Sequence, residues 1–134
     1  MNKPKQDKPL ASALLAQAKE VLEFVEKTDV TDFRKWLLKD LSKPLVCIGN
    51  GGKHTTYPAL LHEINGGVGK TVTPLEFASM SPEAVKRSRV LLLSSSGKNM
   101  DVTYASRRAA EINPEGTAGF TFTDNEKNNL IKNL

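Results

Sequence analysis

Cysteine, histidine and long apolar runs are scarce in this chain of 134 residues. Its single cysteine, Cys47, cannot form an internal disulfide, and two histidines add too little to complete a structural zinc cluster. We therefore expect a protein of a reducing compartment, the cytoplasm, rather than a disulfide scaffold or a zinc module. No apolar stretch reaches the roughly 18 residues that a membrane-spanning helix needs, so no membrane partner is expected.

Aromatic residues and an excess of one charge are also limited. Aromatics make up 6% of the chain, and the formal net charge is +4. Three lysines and one aspartate give residues 1–9 a net charge of +2, and this segment is predicted to be a flexible basic tail. The composition argues against nucleic acid as a partner, because basic stripes and aromatic stacking platforms are poorly represented.

The composition that remains is typical of one globular domain, with 39% hydrophobic and 25% charged residues. We place this domain at residues 10–134. Two amphipathic helices are predicted at its start, because apolar residues recur there at three- and four-residue spacing. Thr31 is the expected N-cap of the second helix, which must end before Pro44.

Beyond Pro44, short apolar runs alternate with helical stretches. Strands are predicted at residues 45–48, 70–73, 90–93 and 118–123, and helices at 55–64, 82–87 and 102–112. Ser81 is expected to cap the middle helix, with Pro82 in its first turn. The run at 90–93 is apolar throughout, so it is expected to be buried on both faces. Strands separated by helices predict a parallel sheet, with a ligand site outside the carboxyl ends of its strands.

The first predicted strand is followed by a glycine-rich turn that opens a helix. Its residues are Gly49, Asn50, Gly51, Gly52, Lys53 and His54. Backbone amides and the helix dipole can receive an anion at such a place. A dinucleotide fingerprint would need glycine at His54, and a nucleotide-hydrolase phosphate loop ending near Gly69 would need glycine at Ile64. A tight turn without a ligand is the alternative.

The most apolar strand is followed by a second polar loop that also opens a helix. Its residues are Ser94, Ser95, Ser96, Gly97, Lys98 and Asn99. Hydroxyls, amides at a helix start and a nearby ammonium could together hold a phosphate or a polyol. The alternative is a solvated capping turn, in which serine and asparagine are the usual residues.

These segments resemble the sugar isomerase (SIS) domain family over residues 44–130. Residues 46–52 look like the first strand and turn of its sedoheptulose 7-phosphate isomerase branch. Residues 93–97 are similar to the Ser-x-Ser-Gly phosphate loop of the whole family, with Asp101 at the acidic position that follows. Residues 120–125 resemble its next strand and Thr-Asn turn.

The resemblance implies a three-layer αβα, flavodoxin-like fold. With the strands predicted above, we expect a parallel sheet of about four strands, preceded by two helices. The resemblance also implies that the chain binds a sugar phosphate. Ser94, Ser96 and the Gly97 amide would surround the phosphate, and the turn at residues 49–52 would lie near the sugar.

Two residues depart from the family pattern. The serine usual after the first turn is Lys53, and the serine or threonine usual two places past the glycine of the second loop is Asn99. Lysine can contact phosphate as a point charge, and asparagine keeps its hydrogen-bonding capacity. Anion binding therefore survives both changes, whereas the identity of the sugar does not carry over.

The resemblance implies only part of a catalytic site. Counted along the helix without a gap, Glu63 falls where the heptose-phosphate isomerases place a catalytic glutamate, and Ala59 where they place a metal-binding histidine. Isomerisation between sugar carbons needs both a base and an acid, and no partner acid is identifiable. A surface glutamate is the alternative for Glu63, and we expect neither a metal nor a cofactor.

Family domains also carry a fifth strand and a closing helix, for which residues 124–134 leave no room. We expect that the chain is part of a longer protein, is completed by another chain, or has been trimmed.

The leading interpretation is a phosphosugar-binding domain with an incomplete catalytic site. The alternatives are an isomerase subunit that uses Glu63 and an interaction module that has lost its ligand. A homodimer is expected, because the two N-terminal helices carry more apolar surface than a four-stranded sheet can cover.

Overall fold

The computed structural model describes residues 10–51, 63, 66–94, 96–121 and 134. In chain order, its elements are helix α1 (Leu10–Lys27), helix α2 (Thr31–Leu38), strand β1 (Leu45–Ile48), strand β2 (Gly69–Val72), helix α3 (Pro74–Ala78), helix α4 (Pro82–Lys86), strand β3 (Arg89–Ser94), helix α5 (Met100–Ile112) and strand β4 (Thr117–Thr121). The chain divides into two units, residues 1–34 and residues 35–134. No helix in the described ranges is long and apolar enough to cross a membrane.

The two predicted N-terminal helices are α1 and α2. Helix α1 leaves apolar side chains exposed, among them Leu15 and Leu22. Helix α2 begins at Thr31, whose amide donates to the Asp29 carboxylate at 2.9 Å. Thr31, the predicted N-cap, is therefore the first helical residue, and its amide is satisfied by Asp29. Hydrogen bonds to the Thr31 side chain and then to its amide lower the pKa of Asp29, because they stabilise the charged carboxylate.

The four strands form one sheet in the order β2-β1-β3-β4, and every neighbouring pair is parallel. This is the order of the first four strands of a flavodoxin-like sheet. The predicted fold class, a three-layer α/β fold with a four-stranded parallel sheet and flanking helices, is confirmed. Val90, Leu91 and Leu92 of β3 are fully buried, as expected for an apolar strand covered on both faces.

The main core lies on one face of the sheet, where short helices and α5 cover alternate strand residues. Its buried members are Val46, Ile48, Val72, Phe77, Val85, Val90, Leu92, Val102, Ala105 and Ala109. The opposite face buries Leu45, Cys47 and Leu91, which point the other way because successive strand residues alternate. On that face, the guanidinium of Arg89 donates to the carbonyl of Leu37 in α2.

Helix α3 was not predicted, although the sequence carries a local signal for it. The Thr73 hydroxyl accepts from the Glu76 amide at 3.1 Å, and the Glu76 carboxylate accepts from the Thr73 amide at 2.6 Å. This reciprocal pair is a capping box, and Pro74 fits the first helical position. The helix spans only five residues, too few to show an apolar period, so periodicity could not reveal it.

The other predicted elements that the structure describes agree with it to within a few residues. Helix α4 is capped by Ser81, whose hydroxyl accepts from the Ala84 amide at 3.2 Å, as predicted. Strand β4 is described from Thr117 to Thr121, and residues 122–123 of the predicted strand lie outside the described residues. The predicted helix at 55–64 also lies outside them, apart from the helical residue Glu63.

Candidate functional site

Both predicted ligand loops start at the carboxyl ends of adjacent central strands. Strands β1 and β3 pair in register, with Ile48 opposite Leu92, so the loops that follow them leave the same edge of the sheet. Strand β2 lies beyond β1, and β4 lies beyond β3. The strand order therefore reverses between β1 and β3, which is where open α/β sheets form their ligand crevice.

In the first loop, the structure describes Gly49, Asn50 and Gly51. Gly49 is buried, Asn50 is half-buried and Gly51 is exposed. The φ angle of Gly51 is +66°, in the left-handed region that favours glycine, and a Cβ added there would meet nothing within 4 Å. The glycine is thus required by the backbone turn rather than by lack of space. Gly52 and Lys53 lie outside the described residues.

The second loop closes on itself through side chain to backbone hydrogen bonds. The Ser94 hydroxyl accepts from the Gly97 amide at 3.0 Å, and the Ser96 hydroxyl accepts from the Lys98 amide at 3.3 Å. Gly97 has a φ of +64°, which lets the chain turn sharply toward α5. The Gly97 amide, which the resemblance places at a phosphate, donates to Ser94 in this structure. Ser95 lies outside the described residues.

Asn99 connects the second loop to both α5 and the first loop. Its side-chain oxygen caps α5 by accepting from the Val102 amide at 3.1 Å. The same oxygen accepts from the Asn50 side-chain nitrogen at 3.5 Å. Two residues that sequence reasoning assigned to separate loops are therefore within hydrogen-bond distance of each other.

A pocket of about 340 Å³ opens beside Asn50, at the carboxyl edge of the sheet. Asn50, Thr73 and Asp101 contribute polar side chains to its lining. Its apolar wall comes from α3 and α5, through Pro74, Leu75, Ala78 and Tyr104. Sequence reasoning identified Asn50 but missed this wall. The signal that could have found it is the capping-box pattern of residues 73–76, which starts a helix directly after β2.

Glu63, the predicted catalytic base, is an exposed helical residue. Ala59 lies outside the described residues, and the catalytic role of Glu63 stays a prediction. Among the residues that the structure describes, no cluster of three or more histidine, cysteine, aspartate or glutamate side chains could hold a metal ion.

In comparisons with known proteins, no family model, characterised protein or solved structure matches the chain.

Proposed function

We propose that this chain binds a phosphorylated sugar, as a domain of the sugar isomerase type. The supporting observation is the contact between Asn50 and Asn99, which joins the glycine-rich turn and the serine-rich loop across the reversal of strand order. A sugar phosphate needs adjacent sites for an anion and for hydroxyl groups. The two loops place hydrogen-bond donors for an anion, and donors and acceptors for hydroxyl groups, at one edge of the sheet.

The phosphate would lie against the loop at residues 94–99. The Ser94 hydroxyl accepts from a backbone amide, which leaves its hydrogen to donate to a phosphate oxygen. Ser96 is exposed on the same turn, and the amino-terminal end of α5 follows directly. Ser95 and Lys53 are proposed to add a hydroxyl and a point charge, and Gly49, Asn50, Gly51 and Gly52 to face the sugar.

A titration with sugar phosphates tests this proposal. Glucose 6-phosphate, fructose 6-phosphate and sedoheptulose 7-phosphate should raise the melting temperature, whereas unphosphorylated glucose should not. At a concentration 100 times Kd, the expected stabilisation is about 2.7 kcal/mol. Isothermal titration calorimetry then gives Kd for each compound.

A pair of matched serine variants ties the binding to the loop. Ser96→Ala should weaken binding about tenfold, the loss expected for one hydrogen bond to a charged group. Ser79→Ala is the control, because Ser79 is also exposed and its hydroxyl donates to the Glu76 carbonyl of its own helix. Equal affinities for both variants, or no response to any sugar phosphate, would contradict the proposal.

The same proposal includes binding without turnover, since the resemblance supplies Glu63 but no partner acid. An isomerase subunit that uses Glu63 is the alternative. We also propose a cytoplasmic location, supported by the lone buried thiol of Cys47.

Self-association is proposed as well. Leu15, Val21 and Leu22 of α1 are each at least 60% exposed, so this helix offers an apolar surface to a second copy of the chain. Light scattering should find a dimer, and Leu22→Glu should shift it toward monomer. A monomer at high micromolar concentration would contradict the dimer while leaving sugar-phosphate binding unaffected.

A further inference from the structure

The apolar wall of the 340 Å³ pocket is unusually open to solvent. Leu75 is 82% exposed and Tyr104 is 62% exposed, and the two side chains belong to different helices that meet at this pocket. Large apolar side chains clustered around a concave site, rather than scattered singly, are typical of a surface that another molecule covers.

The charge of this pocket disfavours an anionic occupant. Asp101 lines it, and no lysine or arginine does so among the residues that the structure describes. A carboxylate repels a phosphate group, so an uncharged group is the better occupant of the pocket. Asn50 is shared, since it lines the pocket and contacts Asn99 of that loop.

The apolar part of the lining favours an apolar group over sugar hydroxyls, and Asn50, Thr73 and Asp101 supply the polar part. A sugar carries a hydroxyl on most of its carbons, and each hydroxyl placed against Pro74, Leu75 or Ala78 would lose its hydrogen bonds to water without replacement. An aromatic or branched aliphatic group has no such loss, and Tyr104 can stack on it.

We infer that the pocket binds an apolar substituent carried by the phosphorylated sugar, which makes aryl or branched-alkyl glycoside phosphates the ligand class. The claim that the ligand carries a phosphate rests on the proposed function. The claim that the pocket binds an apolar substituent rests on the pocket lining, so an experiment can contradict either half of the inference separately.

Three probes separate the halves by calorimetry: methyl β-glucoside 6-phosphate, phenyl β-glucoside 6-phosphate and phenyl β-glucoside without phosphate. The phenyl phosphate should bind about tenfold more tightly than the methyl phosphate, because one ring face leaves water. Leu75→Ala and Tyr104→Ala should each remove most of that gain, and Tyr104→Phe should keep it. Leu38→Ala is the control, since Leu38 is 50% exposed and lies outside the pocket lining.

Each outcome decides one half. Equal affinity for the methyl and phenyl phosphates, or a gain that Leu75→Ala and Tyr104→Ala leave intact, would overturn the inference while sugar-phosphate binding stands. If phenyl β-glucoside binds as tightly as its 6-phosphate and loses this binding in Tyr104→Ala, the pocket is supported and the phosphate site is contradicted. If none of the three probes binds, both are wrong. Melting temperatures of the variants identify any that fail to fold.

Discussion

The two edges of the sheet differ in how their polar groups are satisfied. At the amino edge, the Asn113 side chain donates to the carbonyls of Val85 and Ser88 at 3.0 and 2.8 Å, and its oxygen accepts from the Gly116 amide at 3.2 Å. Beside it, Arg89 is 3% exposed and donates to the Leu37 carbonyl. Burial lowers the pKa of that guanidinium, because the charged form is desolvated.

The carboxyl edge is organised differently. Its turns pass through positive φ angles at Gly51 and Gly97. Among the described loop residues, Ser94 and Ser96 accept hydrogen bonds from amides two or three residues away, and the Asn50 contact with Asn99 joins the two loops. Large apolar side chains around it are exposed, as Leu75 and Tyr104 show. The amino edge therefore ties distant segments together, whereas the carboxyl edge is where we propose that the ligand binds. Stability and binding should accordingly respond to substitutions at different edges.

The largest expected effect is the protection of Cys47, which lies in β1 between the two edges. Burial raises the pKa of its thiol from 9.0 to about 12, so the folded protein should hold about a thousandfold less thiolate than the unfolded chain near pH 8. Labelling by iodoacetamide should be slower by at least that factor in buffer than in urea. Comparable labelling rates in buffer and in urea would show that the sheet opens around Cys47 in the folded protein.

The same shift predicts the direction of the pH dependence. The folded pKa lies above the unfolded one, so the thiol's contribution to the free energy of unfolding is fully present below pH 9 and is lost as pH rises toward 12. Cys47→Ala should flatten that part of the profile.

The next largest effect is expected from Asn113→Ala at the amino edge. Three hydrogen bonds disappear and their backbone partners are left unsatisfied, so urea denaturation should show a loss of about 2–3 kcal/mol. Asn50→Ala at the carboxyl edge removes one long contact and should cost less than about 0.5 kcal/mol. Equal losses would remove the proposed difference between the edges.

A smaller effect is expected from Gly51→Ala in the first loop. A Cβ has open space there, so only the positive φ opposes it, and the expected cost is about 1 kcal/mol. Gly51→Asn should cost less, because asparagine tolerates the left-handed region better than alanine. If both variants are neutral, the turn is not held in this conformation in solution.

The smallest effect is expected from Glu63→Gln. Glu63 is exposed, so the substitution should leave both the melting temperature and sugar-phosphate affinity unchanged, and the wild-type chain should show no isomerisation to remove. A coupled assay or NMR detects aldose–ketose conversion directly. Robust conversion that Glu63→Gln abolishes, with the fold intact, would establish the isomerase alternative.

The strands and several caps could be predicted because their signals are local. The apolar run from Val90 to Leu92 can be stable only when covered on both faces, and Ser81 followed by Pro82 specifies a helix start within one turn. The five-residue helix α3 was missed because its capping box is local but its apolar period is too short to see. Arg89 and Asn113 were missed for another reason. Their partners depend on which segments the fold brings together.

The sequence by itself determined the parallel α/β class, the strand positions and the two polar loops, because apolar periodicity and turn chemistry act over a few residues. Only the tertiary structure decided that Asn50 meets Asn99, 49 residues away, and that Leu75 and Tyr104 form one wall. Those contacts follow from the strand order β2-β1-β3-β4 and from the helices packed on one face. Contacts between distant segments depend on that arrangement, which local sequence patterns do not encode.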